Sequence, residues 1–168
     1  GSPFASLDFK EIDPALAEFD RQTTPLDQFV ELADAIHRRQ ARLFIDLPVN
    51  HTGWASRLQM KYPHWFVRDG KTFESPGAWG VTWADLSRLD YSGDRGLWMH
   101  IAEVFLYWAR RGVDGFRCDA GYMIPLPVWA YVVARVREEL PDTLFLLEGL
   151  GGSLDAVEQL LGRAGLDW

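Results

Sequence analysis

The stretch GVDGFRCDAGYMIP, residues 112–125, places a short apolar segment directly before an arginine, a cysteine and an aspartate, and then a turn. An ionised carboxylate at the end of a buried strand costs several kcal/mol unless it is paired, so Asp119 needs a partner or a chemical role. Two interpretations are open from this stretch alone. Arg117 and Asp119 form a strand-end ion pair, or the arginine holds a reactive carboxylate in its ionised form.

Two further apolar segments also end in an acid. Residues 43–45 precede Asp46, and the segment TLFLLEGL, residues 143–150, carries Glu148 after its apolar run. Apolar residues at helical spacing predict a helix over 24–40 before the first segment, helices over 94–112 and 128–141 between the segments, and a helix over 153–165 after the last one. Continuous apolar strands that alternate with helices indicate an α/β fold with parallel pairing, because a parallel crossover needs a connection of helix length.

A barrel explains the three acidic strand ends better than a doubly wound sheet does. The doubly wound folds commonly carry a glycine-rich phosphate turn after the first strand, and residues 46–53 show none. A (β/α)8 barrel gathers its chemistry at the C-terminal ends of several strands. We therefore predict a partial barrel, with Asp46, Asp119 and Glu148 at one end of the sheet.

Composition and charge exclude several classes of partner. The 168 residues are 48% hydrophobic and carry a formal net charge of −7, which argues against nucleic-acid or anionic-membrane partners, since both select a basic face. No window approaches the roughly 18 apolar residues of a membrane span, and the N-terminal residues show no leader pattern. We expect a soluble protein and slightly favour the cytoplasm.

Residues 51–93 are rich in Pro, Gly and aromatic residues and show no sustained period. They predict a small irregular subdomain between two parts of a barrel, 1–50 and 94–168. Four of the eight tryptophans, Trp54, Trp65, Trp79 and Trp83, fall in this region. Such a cluster forms the core of a small subdomain or stacks on sugar rings, and the sequence does not say which tryptophan does which.

Three motifs together resemble the α-amylase superfamily, glycoside hydrolase family 13. DLPVNH at 46–51, GFRCD at 115–119 and LLEG at 146–149 are similar to the signatures that end the third, fourth and fifth strands of that family's catalytic barrel. The long aromatic excursion lies where the family inserts its small B subdomain. The resemblance implies the central part of a (β/α)8 barrel, about strands 3 to 5 with their helices.

The resemblance implies a retaining hydrolase or transglycosylase that acts on α-glucosidic linkages of an α-glucan or maltooligosaccharide. Asp119 would be the nucleophile that forms a covalent glycosyl-enzyme, and Glu148 would be the acid and then the base. A retaining mechanism needs two carboxyl groups about 5 to 5.5 Å apart, with the nucleophile ionised. Arg117, two residues before Asp119 and so on the same side of the strand, would keep that carboxylate charged.

Further positions resemble functional residues of the same family. Asp46 and His51 resemble the family's sugar-binding residues. Asn50 matches a position that ligates calcium in many members, although a loop-capping asparagine is the alternative; no cofactor is required, and calcium is a candidate. Tyr122 and Met123 stand where many amylases carry a lysine–histidine pair, so the acceptor side is unassigned and Tyr122 is a candidate substrate-binding residue.

The match covers only the middle of a family member, without the aspartate that the family carries on its seventh strand. We therefore expect a piece of a longer enzyme that is inactive alone and that self-associates through open strand edges. One alternative is a non-catalytic sugar-binding half-barrel. Another is a metal-dependent barrel enzyme that uses His51 and the acidic strand ends, which the absence of a paired-histidine motif disfavours.

Overall fold

The computed structural model describes residues 2–19 and 22–168. Its α-helices and strands are, in chain order, α1 (Pro25–His37), β1 (Phe44–Asp46), β2 (His51–Gly53), α2 (Arg57–Lys61), β3 (Arg68–Asp69), β4 (Thr72–Phe73), β5 (Gly77–Ala78), β6 (Val81–Thr82), β7 (Leu86–Arg88), α3 (Arg95–Ala109), β8 (Gly115–Cys118), α4 (Leu126–Glu139), β9 (Leu144–Leu147) and α5 (Leu154–Arg163). Short 3-10 helices cover Pro14–Leu16, Pro63–Trp65 and Gly121–Met123.

The central sheet has three parallel strands in the order β1, β8, β9. The register pairs Asp46 with Arg117 and Phe116 with Phe145, so all three acidic strand ends lie at one edge. The predicted α/β fold with parallel pairing, as part of a barrel, is confirmed. The helix α4 begins at Leu126 rather than at the predicted residue 128, because Pro127 fits the first helical turn, where no N–H is needed.

Aromatic rings bind the sheet to helices α3 and α4. Phe105 of α3 lies 4.7 Å from Phe116, 5.6 Å from Phe145 and 5.8 Å from Trp129 between ring centroids. Phe105, Phe116 and Phe145 are fully buried. Large aromatic side chains bury extensive apolar area and prefer edge-on contacts of this kind, so this cluster is the centre of the core.

Within 2–19 and 22–168, no helix has the length and apolar character needed to cross a membrane.

Residues 51–93 form a set of short paired strands. β2 pairs with β7 in antiparallel fashion, with His51 opposite Arg88, and two hairpins, β3–β4 and β5–β6, lie between them. Leu89 N–H donates to the carbonyl of Asn50 at 3.0 Å, which joins the end of the excursion to its beginning. The division of the chain into 1–50, 51–93 and 94–168 stays a prediction.

The outer edge of β9 is partly occupied. Asp167 N–H donates to the Phe145 carbonyl at 2.9 Å, and Leu147 N–H donates to the Trp168 carbonyl at 2.5 Å. Arg137 Nη2 donates to Asp167 Oδ2 at 2.6 Å and fixes this segment. The expectation of two open edges is therefore met only in part, and self-association stays a prediction.

Candidate active site

Arg117 joins two carboxylates at the ends of neighbouring strands. Its Nη1 donates to Asp46 Oδ2 at 2.6 Å and to Asp119 Oδ1 at 2.7 Å. Asp46 and Arg117 are partners in the parallel register, and Asp119 follows β8 by one residue. The structure thus brings three of the predicted site residues together, and the ion-pair interpretation and the reactive-carboxylate interpretation describe the same contact.

The charges in this group influence one another. Burial raises the pKa of Asp46, the hydrogen bond and charge of Arg117 oppose that rise, and the carboxylates of Asp119 and Glu148 add to it. Burial lowers the pKa of Arg117, but its hydrogen bonds to Asp119 and Asp46 outweigh burial and leave that pKa raised. The guanidinium is therefore a permanent cation between two acids.

Glu148 lies directly after β9 and is held by main-chain donors. Its Oε2 accepts from Ala120 N–H at 3.0 Å, and its Oε1 accepts from Leu150 N–H at 2.9 Å. Ala120, next to Asp119, has left-handed backbone angles, φ 47° and ψ 33°. The hydrogen bond from Ala120 holds the Glu148 carboxylate beside the residue that follows Asp119. Each carboxyl oxygen of Glu148 thus accepts one main-chain hydrogen bond and has a second lone pair left.

His51 is buried, with 2% of its surface exposed, at the start of β2. Its Nε2 lies 3.1 Å from the Phe4 carbonyl, so Nε2 carries the hydrogen and Nδ1 is left as an acceptor. Burial lowers the pKa of His51, which keeps the ring neutral. Nδ1 has no hydrogen-bond partner within the described part of the chain. It is a buried acceptor that a ligand hydroxyl can satisfy.

Tyr122 lies in the 3-10 turn that follows Asp119, and it is half-buried. Burial raises the pKa of its hydroxyl, and the charges of Glu148 and Asp119 raise it further. The ring packs on the backbone after Glu148, so closely that a Cβ added to Gly151 would lie 2.2 Å from the Tyr122 Oη. Tyr122 therefore has a defined position beside both predicted catalytic carboxylates.

Asn50 does not form a calcium site with the side chains that the structure describes. Its Nδ2 donates to Met123 Sδ at 3.2 Å, and its buried Oδ1 has no partner among the described residues. Calcium needs six to eight oxygen ligands. Within 2–19 and 22–168, no three His, Cys, Asp or Glu residues form a group that could hold a metal ion. One amide oxygen does not fit calcium.

Some contacts of the site could not be predicted from the sequence. The donors to Glu148 are the N–H groups of Ala120 and Leu150, which every residue type except proline carries. The partner of His51 is the carbonyl of Phe4, 47 residues away. Main-chain groups leave no signal in residue type, so only the folded backbone identifies them. The catalytic and binding roles assigned to the predicted site residues stay predictions.

Comparison with curated proteins finds α-1,4-glucan:maltose-1-phosphate maltosyltransferases. The chain is 33% identical over 111 residues to the protein of Myxococcus xanthus, a match that covers 62% of this chain and 16% of the relative. It is 27% identical over 178 residues to the protein of Cereibacter sphaeroides, which covers 98% of this chain and 24% of the relative. The chain thus spans a quarter or less of these two relatives. No family model matches the chain.

Comparison with solved structures finds amylases. The structure superposes on an α-amylase from Lactobacillus plantarum with a TM-score of 0.80 and 30% identity, over 95% of this chain and 39% of that chain. A maltogenic α-amylase from Thermotoga neapolitana gives a TM-score of 0.72 and 26% identity, over 88% of this chain and 32% of that chain. These likenesses extend over 95% and 88% of this chain.

Proposed function

Because this chain belongs to the α-amylase superfamily, of whose catalytic barrel it spans the central part, we propose that its protein cleaves or transfers glucosyl units of an α-glucan or maltooligosaccharide. The reaction proceeds with retention at the anomeric carbon. Asp119 is the nucleophile and Glu148 is the acid and base. The observation that carries this proposal is the shared hydrogen bonding of Arg117 to Asp46 and Asp119, beside Glu148 on the next strand.

The first step forms a covalent intermediate. A carboxylate oxygen of Asp119 attacks the anomeric carbon, the bond from that carbon to the glycosidic oxygen breaks, and Glu148 gives its proton to the departing oxygen. In the second step a water or sugar hydroxyl gives its proton to Glu148 and displaces Asp119 from the same carbon. Water yields hydrolysis, whereas a sugar yields transfer, and both names occur among the relatives.

Arg117 and His51 support this chemistry in different ways. The guanidinium favours the ionised Asp119 that attack requires, since an adjacent opposite charge stabilises the carboxylate. His51 offers its unpaired Nδ1 as an acceptor for a sugar hydroxyl. The neutral ring suits a neutral substrate, because it adds no charge that a sugar would have to compensate.

The test uses Asp119→Asn and Glu148→Gln in the full-length protein, with the exposed Asp69→Asn as control. We expect Asp119→Asn to abolish nearly all turnover of maltooligosaccharides. Loss of the acid lowers the rate by about 10²–10⁴-fold, and less on an aryl glucoside, whose leaving group needs little protonation. Asp69→Asn keeps the activity.

The stereochemistry gives an independent readout. Proton NMR during turnover should show the α-anomer first, because two displacements at one carbon retain configuration. A β-anomer as the first product, or an Asp119→Asn variant with full activity, would remove Asp119 from the nucleophile role. A protein that binds maltooligosaccharides without turning them over would instead be a sugar-binding module.

A further inference from the structure

The loop that follows Glu148, residues 149–152, carries one of the two main-chain donors to this carboxyl group. Leu150 N–H donates to Glu148 Oε1 at 2.9 Å, and the other three residues of the loop are glycines. Gly152 N–H donates to the Gly149 carbonyl at 3.0 Å, which closes the loop as a tight turn. Glycine loses more conformational freedom on ordering than any other residue. The Leu150 donor therefore stays in place only where neighbouring side chains fix the loop.

Two side chains outside the loop pack on its backbone, those of Tyr122 and Val157. A Cβ added to Gly151 would lie 2.2 Å from both Cζ and Oη of Tyr122, and one added to Gly152 would lie 3.0 Å from the Tyr122 Cβ. A Cβ added to Gly149 would lie 2.9 Å from Cγ2 of Val157, on α5. A real Cβ does not approach another atom as closely as 2.2 Å, so only glycine fits at 151 beside the Tyr122 ring.

Tyr122 also belongs to the segment that carries the second donor. It lies in the 3-10 turn that begins after Ala120, whose N–H donates to Glu148 Oε2 at 3.0 Å. Ala120 has a φ of 47°, a strained conformation that persists only where surrounding contacts impose it. A Cβ added to Gly121 would lie 2.5 Å from Leu147 Cδ1, so the turn is packed against the end of β9. Both donors to Glu148 thus lie in segments that the Tyr122 ring joins.

We propose that Tyr122 is a positioning residue for Glu148. Its ring packs the loop 149–152 against the turn after Asp119 and so fixes the two N–H groups that bind the carboxyl oxygens of Glu148. This inference rests on the proposed function, in which Glu148 gives its proton to the departing oxygen, and adds which side chain keeps that acid in place. A displacement of about 1 Å at a catalytic group can lower a rate by about 10²-fold, so this packing affects the chemistry.

The aromatic ring, rather than the hydroxyl, carries this role. The Cζ and Cε2 atoms of Tyr122 lie 2.2 and 2.6 Å from the position of a Cβ on Gly151, and phenylalanine has both atoms. Burial, and then the charges of Glu148 and Asp119, raise the pKa of the Tyr122 hydroxyl, so the group stays neutral. A residue that bound substrate through its hydroxyl would lose its function in Tyr122→Phe. A positioning residue that acts through its ring would keep most of it.

The test compares two substrates that need different amounts of acid assistance. Phenyl and 4-nitrophenyl α-maltoside both present a phenol ring as the leaving group, but 4-nitrophenolate departs with little help from a proton. For Tyr122→Ala in the full-length protein, we expect kcat/KM to fall about tenfold more on phenyl α-maltoside than on the 4-nitrophenyl compound, a selective loss. Tyr122→Phe should recover most of it. Tyr131→Ala, which removes a half-buried ring from α4, should leave the ratio of the two values unchanged.

Gly151→Ala tests the same contact from the loop. Its methyl group would overlap the Tyr122 ring, so this variant should show the same selective loss, whereas Gly162→Ala, which meets no atom within 4 Å, should not. Added to Tyr122→Ala, Gly151→Ala should cost little more, because both changes act on one contact. If Tyr122→Ala does not fold, a selective loss in Gly151→Ala supports the inference and an equal loss on both maltosides overturns it.

The outcomes separate this inference from the proposed function. An unsubstituted protein that cleaves neither maltoside would overturn both. If Glu148→Gln shows the selective loss but Tyr122→Ala lowers kcat/KM equally on the two substrates, the proposed function stands and the positioning role is wrong. A Tyr122→Phe variant as impaired as Tyr122→Ala would assign the role to the hydroxyl, as for a residue that binds substrate, and would also overturn the inference.

Discussion

Replacing Arg117 by methionine tests the physical basis of the site. Methionine keeps most of the apolar volume of arginine and removes its charge and donors. The change leaves the carboxylates of Asp46 and Asp119 at neighbouring strand ends. It removes the Arg117 Nη1 that donates a hydrogen bond to each of them. Two carboxylates in this position repel each other, and at neutral pH this repulsion lowers the free energy of unfolding.

The magnitude follows from the geometry and exposure. A hydrogen bond to a charged group contributes about 1.5–3 kcal/mol when it is well shielded from solvent. Here the side-chain exposures are 43% for Arg117, 37% for Asp46 and 22% for Asp119, so solvent screens both contacts. We expect Arg117→Met to lower the free energy of unfolding at pH 7 by about 2 kcal/mol in total, which corresponds to a Tm lower by about 4–8 °C for a protein domain of this size.

The pH dependence has a defined sign. The pKa of Asp46 is already raised by burial, and removing Arg117 takes away the contribution that lowers it. An acid whose folded pKa lies above its unfolded value favours the folded state below the unfolded pKa and loses that contribution as pH rises. The cost of Arg117→Met should therefore be small at about pH 3 and grow towards pH 7. Asp46→Asn in the same background should recover about half of it, because one carboxylate is gone.

Urea unfolding followed by tryptophan fluorescence at several pH values measures these differences. Arg163→Met, at an exposed arginine of α5, is the matched control and should change stability by less than about 0.5 kcal/mol. A cost for Arg117→Met that does not vary with pH would refute the electrostatic reasoning and leave only lost packing. A free energy of unfolding unchanged at pH 7 would show that solvent already screens both contacts completely.

Three further predictions concern the fold. Phe105→Ala should lower the free energy of unfolding by about 3–5 kcal/mol in urea, because it empties the centre of the aromatic cluster, whereas Met99→Ala on the exposed side of the same helix should have little effect. Gly115→Ala should lower Tm, since its Cβ would lie 2.2 Å from the ring of Phe44, whereas Gly162→Ala in α5 meets no atom within 4 Å and should raise stability by up to about 1 kcal/mol. Burial raises the pKa of the Cys118 thiol well above its usual value, so the native protein should resist thiol reagents that label it in urea.

The fold was predictable because its strands are continuous apolar segments that end in charge. Such segments require cover on both faces, which helices supply, and parallel pairing then aligns their ends. The pairing of Asp46 with Arg117 follows from this alignment, and the contact between Arg117 and Asp119 follows from their two-residue spacing on one side of a strand. Both results depend on periodicity and side-chain chemistry, which a sequence displays directly.

The tryptophans show where this reasoning stops. Trp54 and Trp79 are both large, aromatic and in the same excursion, and no pattern in the sequence separates them. The difference is that the Trp54 indole donates to the carbonyl of Ala84, 30 residues away, whereas the Trp79 indole has no acceptor among the described residues. Carbonyls are common to all residues, so their position is determined by tertiary structure alone.

The excursion is linked through His51 to the end of the sheet where the three acidic residues lie. His51 begins β2, pairs across to Arg88 of β7, and contacts Phe4 before the sheet and Trp83 within the excursion. A change that loosens the β2–β7 pairing therefore moves the acceptor nitrogen of His51 relative to Asp119 without touching either carboxylate. His51 is buried and its Nδ1 has no hydrogen-bond partner among the described residues, so we expect a hydroxyl that reaches Nδ1 to relieve the cost of that unpaired acceptor. Substrate binding and the order of the excursion should consequently reinforce each other: ligand stabilises the β2–β7 pair, and a firmly paired excursion presents His51 and Trp83 at fixed positions.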